Sequence, residues 1–160
     1  IEGTTVYPSV PGATNWFSPS YSPQTNLFYV SSREQGAIYF MGEAEYRAGS
    51  LFHGGGERNI PGEEGFGAIR ALEPTTGALK WEFKLHSPPW SGVMSTAGGL
   101  VFGGTPEGDV FALDAATGKS LWRFQTGAAA WSNPISYLSG GKQHVAIAAG
   151  NAIFAFAVEE

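Results

Sequence analysis

Ala71-Leu72-Glu73-Pro74-Thr75-Thr76-Gly77-Ala78-Leu79-Lys80-Trp81-Glu82-Phe83 recurs 41 residues later as Ala112-Leu113-Asp114-Ala115-Ala116-Thr117-Gly118-Lys119-Ser120-Leu121-Trp122-Arg123-Phe124. The offset persists beyond the segment, because Trp90-Ser91 falls on Trp131-Ser132. A fixed period of about 40–45 residues with strand–turn–strand character is the sequence sign of propeller blades, small antiparallel sheets stacked face to face. Asp114 and Thr117 carry short polar side chains that satisfy backbone groups in the turn, and Gly118 suits a position with positive φ. Trp81 and Trp122 then lie on the following strands as inter-blade anchors, each with an indole N–H that needs an acceptor. Glu73 stands where the second copy has Asp114, and its longer side chain is expected to loosen the first turn.

The bulk composition agrees with that pattern. Of 160 residues, 42% are hydrophobic, 14% aromatic and 14% charged, with 23 Gly and 10 Pro. Such a chain has apolar surface enough for a packed core, and its glycines and prolines mark short strands joined by tight turns. No stretch keeps a helical apolar period without a Gly or Pro interruption, so long helices are not expected. The net charge of −5 argues against a nucleic-acid surface, which needs clustered Lys and Arg. No apolar run is long enough to span a membrane. There are no cysteines, which excludes disulfides, Cys-ligated zinc and covalent haem attachment in this chain. The chain begins at Ile1 without Met or a signal peptide and reads as a piece of something larger.

The expected fold is all-β, a partial β-propeller of about three four-stranded antiparallel blades with the last incomplete. The first blade, about 12–86, has strands at 26–31, 66–72 and 79–85 and a Gly- and Glu-rich insertion over 32–66 between its second and third strands. The insertion contains the apolar run 37–41 and the glycine loop 53–56. The second blade, about 90–126, is compact, with strands at 92–95, 99–103, 109–113 and 120–125. The third, about 130–158, runs through 135–137, 143–148 and 152–158 without a following turn motif. An open arc of blades exposes apolar faces and an edge strand, here Ala152 to Val158 with only Glu159 and Glu160 as charged neighbours. The expected partners are therefore further blades or a second copy of the chain.

The motif Ala-x-Asp-x-x-Thr-Gly-x-x-x-Trp resembles the tryptophan-docking motif of the pyrroloquinoline quinone (PQQ)-dependent alcohol and methanol dehydrogenases, the quinoprotein propeller family. Gly12-Ala13-Thr14-Asn15-Trp16 is similar to that family's Gly-Gly-x-Asn-Trp segment, with Ala13 in place of the second Gly. The stretch from Pro88-Pro89-Trp90-Ser91-Gly92 to Ala97-Gly98-Gly99-Leu100-Val101-Phe102 is similar to its late Pro-x-Trp-x-Gly region, and Gly104-Thr105-Pro106-Glu107-Gly108 follows in step. The resemblance covers nearly the whole chain. It implies the last part of an eight-bladed propeller with PQQ and a calcium ion on its axis, oxidising an alcohol at the quinone. The family's catalytic Asp and calcium ligands lie upstream of this region, so no catalytic or metal-ligating residue is expected here. It further implies a periplasmic enzyme with a small alcohol as substrate and a separate electron acceptor.

By the same resemblance Asn15 matches the Asn that hydrogen-bonds PQQ, and Trp90 the Trp near the cofactor's edge. Trp16 and Ser91 adjoin them and complete the expected cofactor contacts. PQQ is a planar tricarboxylate, which amide and indole donors would orient. Each of the two also has a plainer reading: Asn15 as a turn residue bonding its own backbone, Trp90 as an inter-blade packer echoed by Trp131. His53, His86 and His144 are widely spaced and show no metal-ligand pattern. Glu43, Glu45, Glu57, Glu63 and Glu64 lack the spacing of a calcium loop, and Gly54-Gly55-Gly56 lacks the Lys-Ser/Thr of a phosphate loop. The expected function is the C-terminal part of a quinoprotein oxidising alcohols with PQQ, supplying cofactor contacts and blade packing. The alternative is a non-catalytic propeller of PQQ-type repeats acting as a protein-binding scaffold. A small closed all-β module is a third reading, against which the repeat argues.

Overall fold

Short apolar runs punctuated by Gly and Pro fold here into strands and tight turns. The structure, a computed structural model, describes residues 2–43 and 45–158, and no helix occurs among them. Strand β1 (Thr4–Val6) is followed by β2 (Ser20–Ser22) and β3 (Leu27–Glu34). The excursion after β3 carries β4 (Ala37–Met41) and β5 (Gly55–Arg58). Strands β6 (Phe66–Leu72) and β7 (Leu79–Leu85) come next, then β8 (Met94–Ser95), β9 (Leu100–Gly104), β10 (Asp109–Asp114) and β11 (Ser120–Gln125). The last are β12 (Ile135–Ser139), β13 (Lys142–Ala149) and β14 (Ala152–Ala157). They form two 4-stranded antiparallel sheets, β2-β3-β6-β7 and β8-β9-β10-β11, and a 3-stranded sheet β12-β13-β14. The expected edge residues Glu159 and Glu160 lie outside the described residues.

The two copies of the repeat fold into the same hairpin, down to its irregularity. Trp81 pairs with Ala71 and Trp122 with Ala112, and in both hairpins the register slips at the next residue, between Ala71 and Leu72 or Ala112 and Leu113. The closing bonds also match: Gly77 N–H donates to the Glu73 carbonyl and Gly118 N–H to the Asp114 carbonyl, each at 2.8 Å. Asp114 Oδ1 accepts from the Thr117 N–H (2.8 Å) and hydroxyl (2.7 Å). Glu73 does not loosen its turn, contrary to the sequence expectation. Its longer side chain spreads over two hydroxyls, Thr75 Oγ1 to Oε1 (2.6 Å) and Thr76 Oγ1 to Oε2 (2.5 Å).

The blade sheets pack face to face. Leu27, Tyr29, Ile69 and Ala71 of the first meet Val101, Phe111, Leu113 and Ala115 of the second in one buried cluster. Each large aliphatic or aromatic side chain buried there contributes about 1.5–3 kcal/mol. The carbonyl of Ala115, in the second blade's turn, accepts both the Tyr29 hydroxyl (2.9 Å) and the Trp81 indole N–H (3.1 Å) from the first. A smaller cluster of Val110, Ala130, Ile147 and Ala149, flanked by Phe154 and Phe156, joins the second sheet to the third.

Two expectations need correction. Trp122 shares Trp81's register position but not its surroundings. It is 37% exposed, packs edge-on against Phe156 at 4.9 Å, and its indole finds no acceptor among the described residues. Among the described residues the third sheet has three strands, and the ring meets Phe156 of β14 rather than a turn carbonyl. The glycine loop is also partly a strand. Gly55–Arg58 pairs with Ala37–Met41, and β1 lies on the other side of β4, so the insertion forms its own sheet β1-β4-β5. A Cβ at Gly55 would sit 2.0 Å from the Phe40 carbonyl oxygen, so close approach rather than flexibility requires that glycine.

Candidate functional site

The chain enters the innermost strand of each blade through a segment that carries a Trp: Trp16 before β2, Trp90 before β8 and Trp131 before β12. These segments meet, and Asn133 joins them. Its Oδ1 accepts from the Gly92 N–H (2.7 Å) and the Ser18 N–H (3.4 Å), and its Nδ2 donates to Ser18 Oγ (3.0 Å). Gly92 leaves the room for this, since a Cβ there would lie 2.2 Å from Asn133 Oδ1. Ser91 is buried and donates its hydroxyl to the Ser132 carbonyl at 2.8 Å.

Trp90 is held from two directions. The buried Phe17 ring lies edge-on to it at 5.9 Å and also touches Trp16 at 4.9 Å. Arg33 stacks its guanidinium over the Trp90 ring, 4.3 Å from the centroid. Such a contact is worth about 0.5–2 kcal/mol. Arg33 is on the buried side of β3, where Leu27, Tyr29, Ser31 and Arg33 alternate inward. Its Nη1 donates to the Pro89 carbonyl (2.9 Å) and its Nη2 to Gln35 Oε1 (3.0 Å), while its Nε has no partner among the described residues. No carboxylate forms an ion pair with it among the described residues. Burial lowers its pKa from the ordinary guanidinium value.

Arg33 and Trp90 line a cleft of about 390 Å³, closed by Ser9 and Pro11, by Gln35 and Glu57 from the insertion side, and by Pro106. Of the four residues expected at the site, Trp90 is on the cleft wall and Ser91 is enclosed directly behind it. Trp16 is mostly exposed beyond Phe17. Asn15 is exposed with its Nδ2 donating to the Pro11 carbonyl at 2.9 Å, the turn geometry of its plainer reading. Sequence reasoning missed Arg33, Phe17 and Asn133. Arg33 was detectable as a cation on the inward phase of an alternating strand; Asn133 was not, because its bonds span 115 residues to Ser18. No group of three or more His, Cys, Asp or Glu could hold a metal ion among the described residues.

Comparison with known proteins bears on this arrangement. A family model described as "Outer membrane protein assembly factor BamB" matches residues 65–160. The chain is 42% identical over 146 residues to the quinoprotein alcohol dehydrogenase PedE of Pseudomonas putida, covering 91% of this chain and 23% of that protein. It is 38% identical over 152 residues to PedH of the same organism, covering 93% and 26%. Among solved structures it superposes on a europium-containing methanol dehydrogenase with a TM-score of 0.82 and 34% identity, over 91% of this chain and 27% of that one. The chain thus spans about a quarter of the length of the curated relatives it matches. On that likeness its three stacked sheets are blades of a partial β-propeller.

Proposed function

The chain belongs to the PQQ_2 family, and on that premise we propose that it is the C-terminal part of a quinoprotein that oxidises alcohols with PQQ, contributing cofactor contacts and blade packing. The observation that carries the reading is the cleft wall, where Trp90 stands beside a buried guanidinium with donors to spare. PQQ is a flat ring system bearing three carboxylates. An indole face and unpaired N–H groups suit it in shape and charge, so the residues present fit the group. Arg33 and Trp90 would hold it, with Asn15 and Trp16 as further contacts from the segment that Asn133 ties down. When bound, PQQ supplies a two-electron quinone acceptor. This chain's own residues seat and orient the ring, and the enclosed bonds of Ser91 and Asn133 keep Trp90 in position. The proposal leaves the catalytic base and a calcium or lanthanide ion to the rest of the parent protein. It also includes a small alcohol substrate, a separate electron acceptor and a periplasmic location.

The description of the matching family model favours a second reading, a propeller that serves as a protein-binding scaffold. Likeness to alcohol dehydrogenases over 91–93% of the chain, well beyond residues 65–160, supports the cofactor reading over it. The test is to titrate PQQ into the chain and into Trp90→Phe, which keeps a ring under Arg33 and deletes the indole N–H. Saturable binding that weakens about two- to tenfold in the variant is the expected result. A folded wild-type chain that binds no PQQ would leave the scaffold reading in its place.

A further inference from the structure

Charged side chains are almost never fully buried unless paired. The other partly buried arginine here, Arg70, obeys that rule by bonding Glu34 and Glu82, and even the exposed Arg123 bonds Asp109. Arg33 is more buried than either, at 4% exposed, yet its acceptors are one carbonyl and one amide oxygen. A guanidinium has five N–H donors in a fixed fork, so the Pro89 and Gln35 bonds leave the rest, Nε included, without acceptors among the described residues. The two bonds and the Trp90 stack fix the plane of the fork without neutralising it. A desolvated cation held rigid and uncompensated is costly to the fold and is the arrangement that an anionic ligand repays.

We propose that Arg33 is the carboxylate anchor of the 390 Å³ cleft, donating a remaining Nη N–H to a carboxylate of a planar aromatic acid whose ring meets Trp90. The inference deepens the cofactor reading and rests on it: PQQ is one acid of this class, and Arg33 becomes the residue that holds one of its carboxylates. Glu57 lines the same cleft, kept there by the Val10 N–H at 3.1 Å, and opposes any anion that enters. Arg33 and Glu57 therefore act on affinity in opposite directions.

The experiment measures dissociation constants by calorimetry for PQQ and for benzene-1,2,4-tricarboxylate, a planar acid without a quinone. The chains compared are wild type, Arg33→Met, Arg33→Lys and Glu57→Gln. Arg33→Met keeps apolar contact with Trp90 but removes the charge, and binding of both acids is expected to weaken about ten- to hundredfold. Arg33→Lys, which keeps the charge without the fork, falls between. Glu57→Gln, which keeps an oxygen for the Val10 N–H, tightens binding several-fold. Unchanged PQQ affinity in Arg33→Met overturns the anchor and leaves the cofactor reading standing. If wild type binds no PQQ, the cofactor reading fails and the tricarboxylate decides: Arg33-dependent binding supports the anchor, and no binding overturns it. Should Arg33→Met not fold, Glu57→Gln carries the decision, and an affinity equal to wild type counts against the proposal.

Discussion

Gly77 and Gly118 close the two copies of one turn with nearly the same backbone, φ +72° and +73°, but only Gly118 lies under a tryptophan. A Cβ on Gly118 would come within 2.5 Å of Trp81 Cε3 and 2.7 Å of Cδ2, whereas a Cβ on Gly77 meets nothing within 4 Å. Gly77→Ala should therefore cost only the left-handed strain of an L-residue, about 1–2 kcal/mol. Gly118→Ala carries the same strain and also lifts a ring that packs on Tyr29 at 5.6 Å and donates to the Ala115 carbonyl at 3.1 Å. Overpacking costs about 1–3 kcal/mol and a lost hydrogen bond about 0.5–1.5 kcal/mol, so the second substitution should exceed the first by about 1.5–4.5 kcal/mol. Urea unfolding reads the difference from the two midpoints at a common slope. In a Trp81→Ala background the excess should vanish, because nothing is then left to displace. Equal losses at the two glycines would refute the seating of Trp81 on the next blade's turn.

The hydroxyls of Thr75 and Thr76 and the Thr75 N–H hold the Glu73 carboxyl at a pKa of about 2 against its ordinary 4.5. The unfolded chain therefore takes up the proton first, so this contribution is full above pH 4.5 and is lost as pH falls towards 2. Glu73→Gln should flatten that part of the pH–stability curve, and a profile parallel to wild type would discount the turn bonds. Asn133→Ala strips the acceptor from the Gly92 N–H and should cost about 1–3 kcal/mol with faster hydrogen exchange at Gly92; unchanged exchange there would mean that Asn133 does not join the blades. Leu121, Trp122 and Phe124 are 52%, 37% and 40% exposed on one strand and Ile153 is 79% exposed on the edge, so the chain should self-associate. Light scattering that stays at 16.9 kDa up to about millimolar concentration would contradict this.

Local signals made most of the fold legible. The hairpin strands Leu79–Leu85 and Ser120–Gln125 follow directly from the repeat, and their shared register slip shows that the repeat encodes backbone geometry as well as packing. Features set by distant partners were not legible. Thr4–Val6 is an exposed strand only because β4 lies alongside it, and Gly55–Arg58 is a strand because its glycines let Phe40 approach. Trp81 and Trp122 read alike in sequence, yet one meets Ala115 and Gly118 while the other packs edge-on against Phe156 and stays 37% exposed. At the candidate site, motif resemblance reached Trp90 but passed over the arginine stacked on it. Arg33 belongs to no motif, and its role rests on burial without a counter-charge.

The central claim, a PQQ site on the Trp90 side of this partial propeller, is tested most directly by the indole ¹H–¹⁵N resonances of the 5 tryptophans during addition of PQQ. The account predicts shifts at Trp90 and at its neighbour across Phe17, Trp16, with Trp81 and Trp122 unmoved in the blade faces. Shifts confined to Trp122 at the exposed face, or no shift at Trp90 under saturating PQQ, would contradict it.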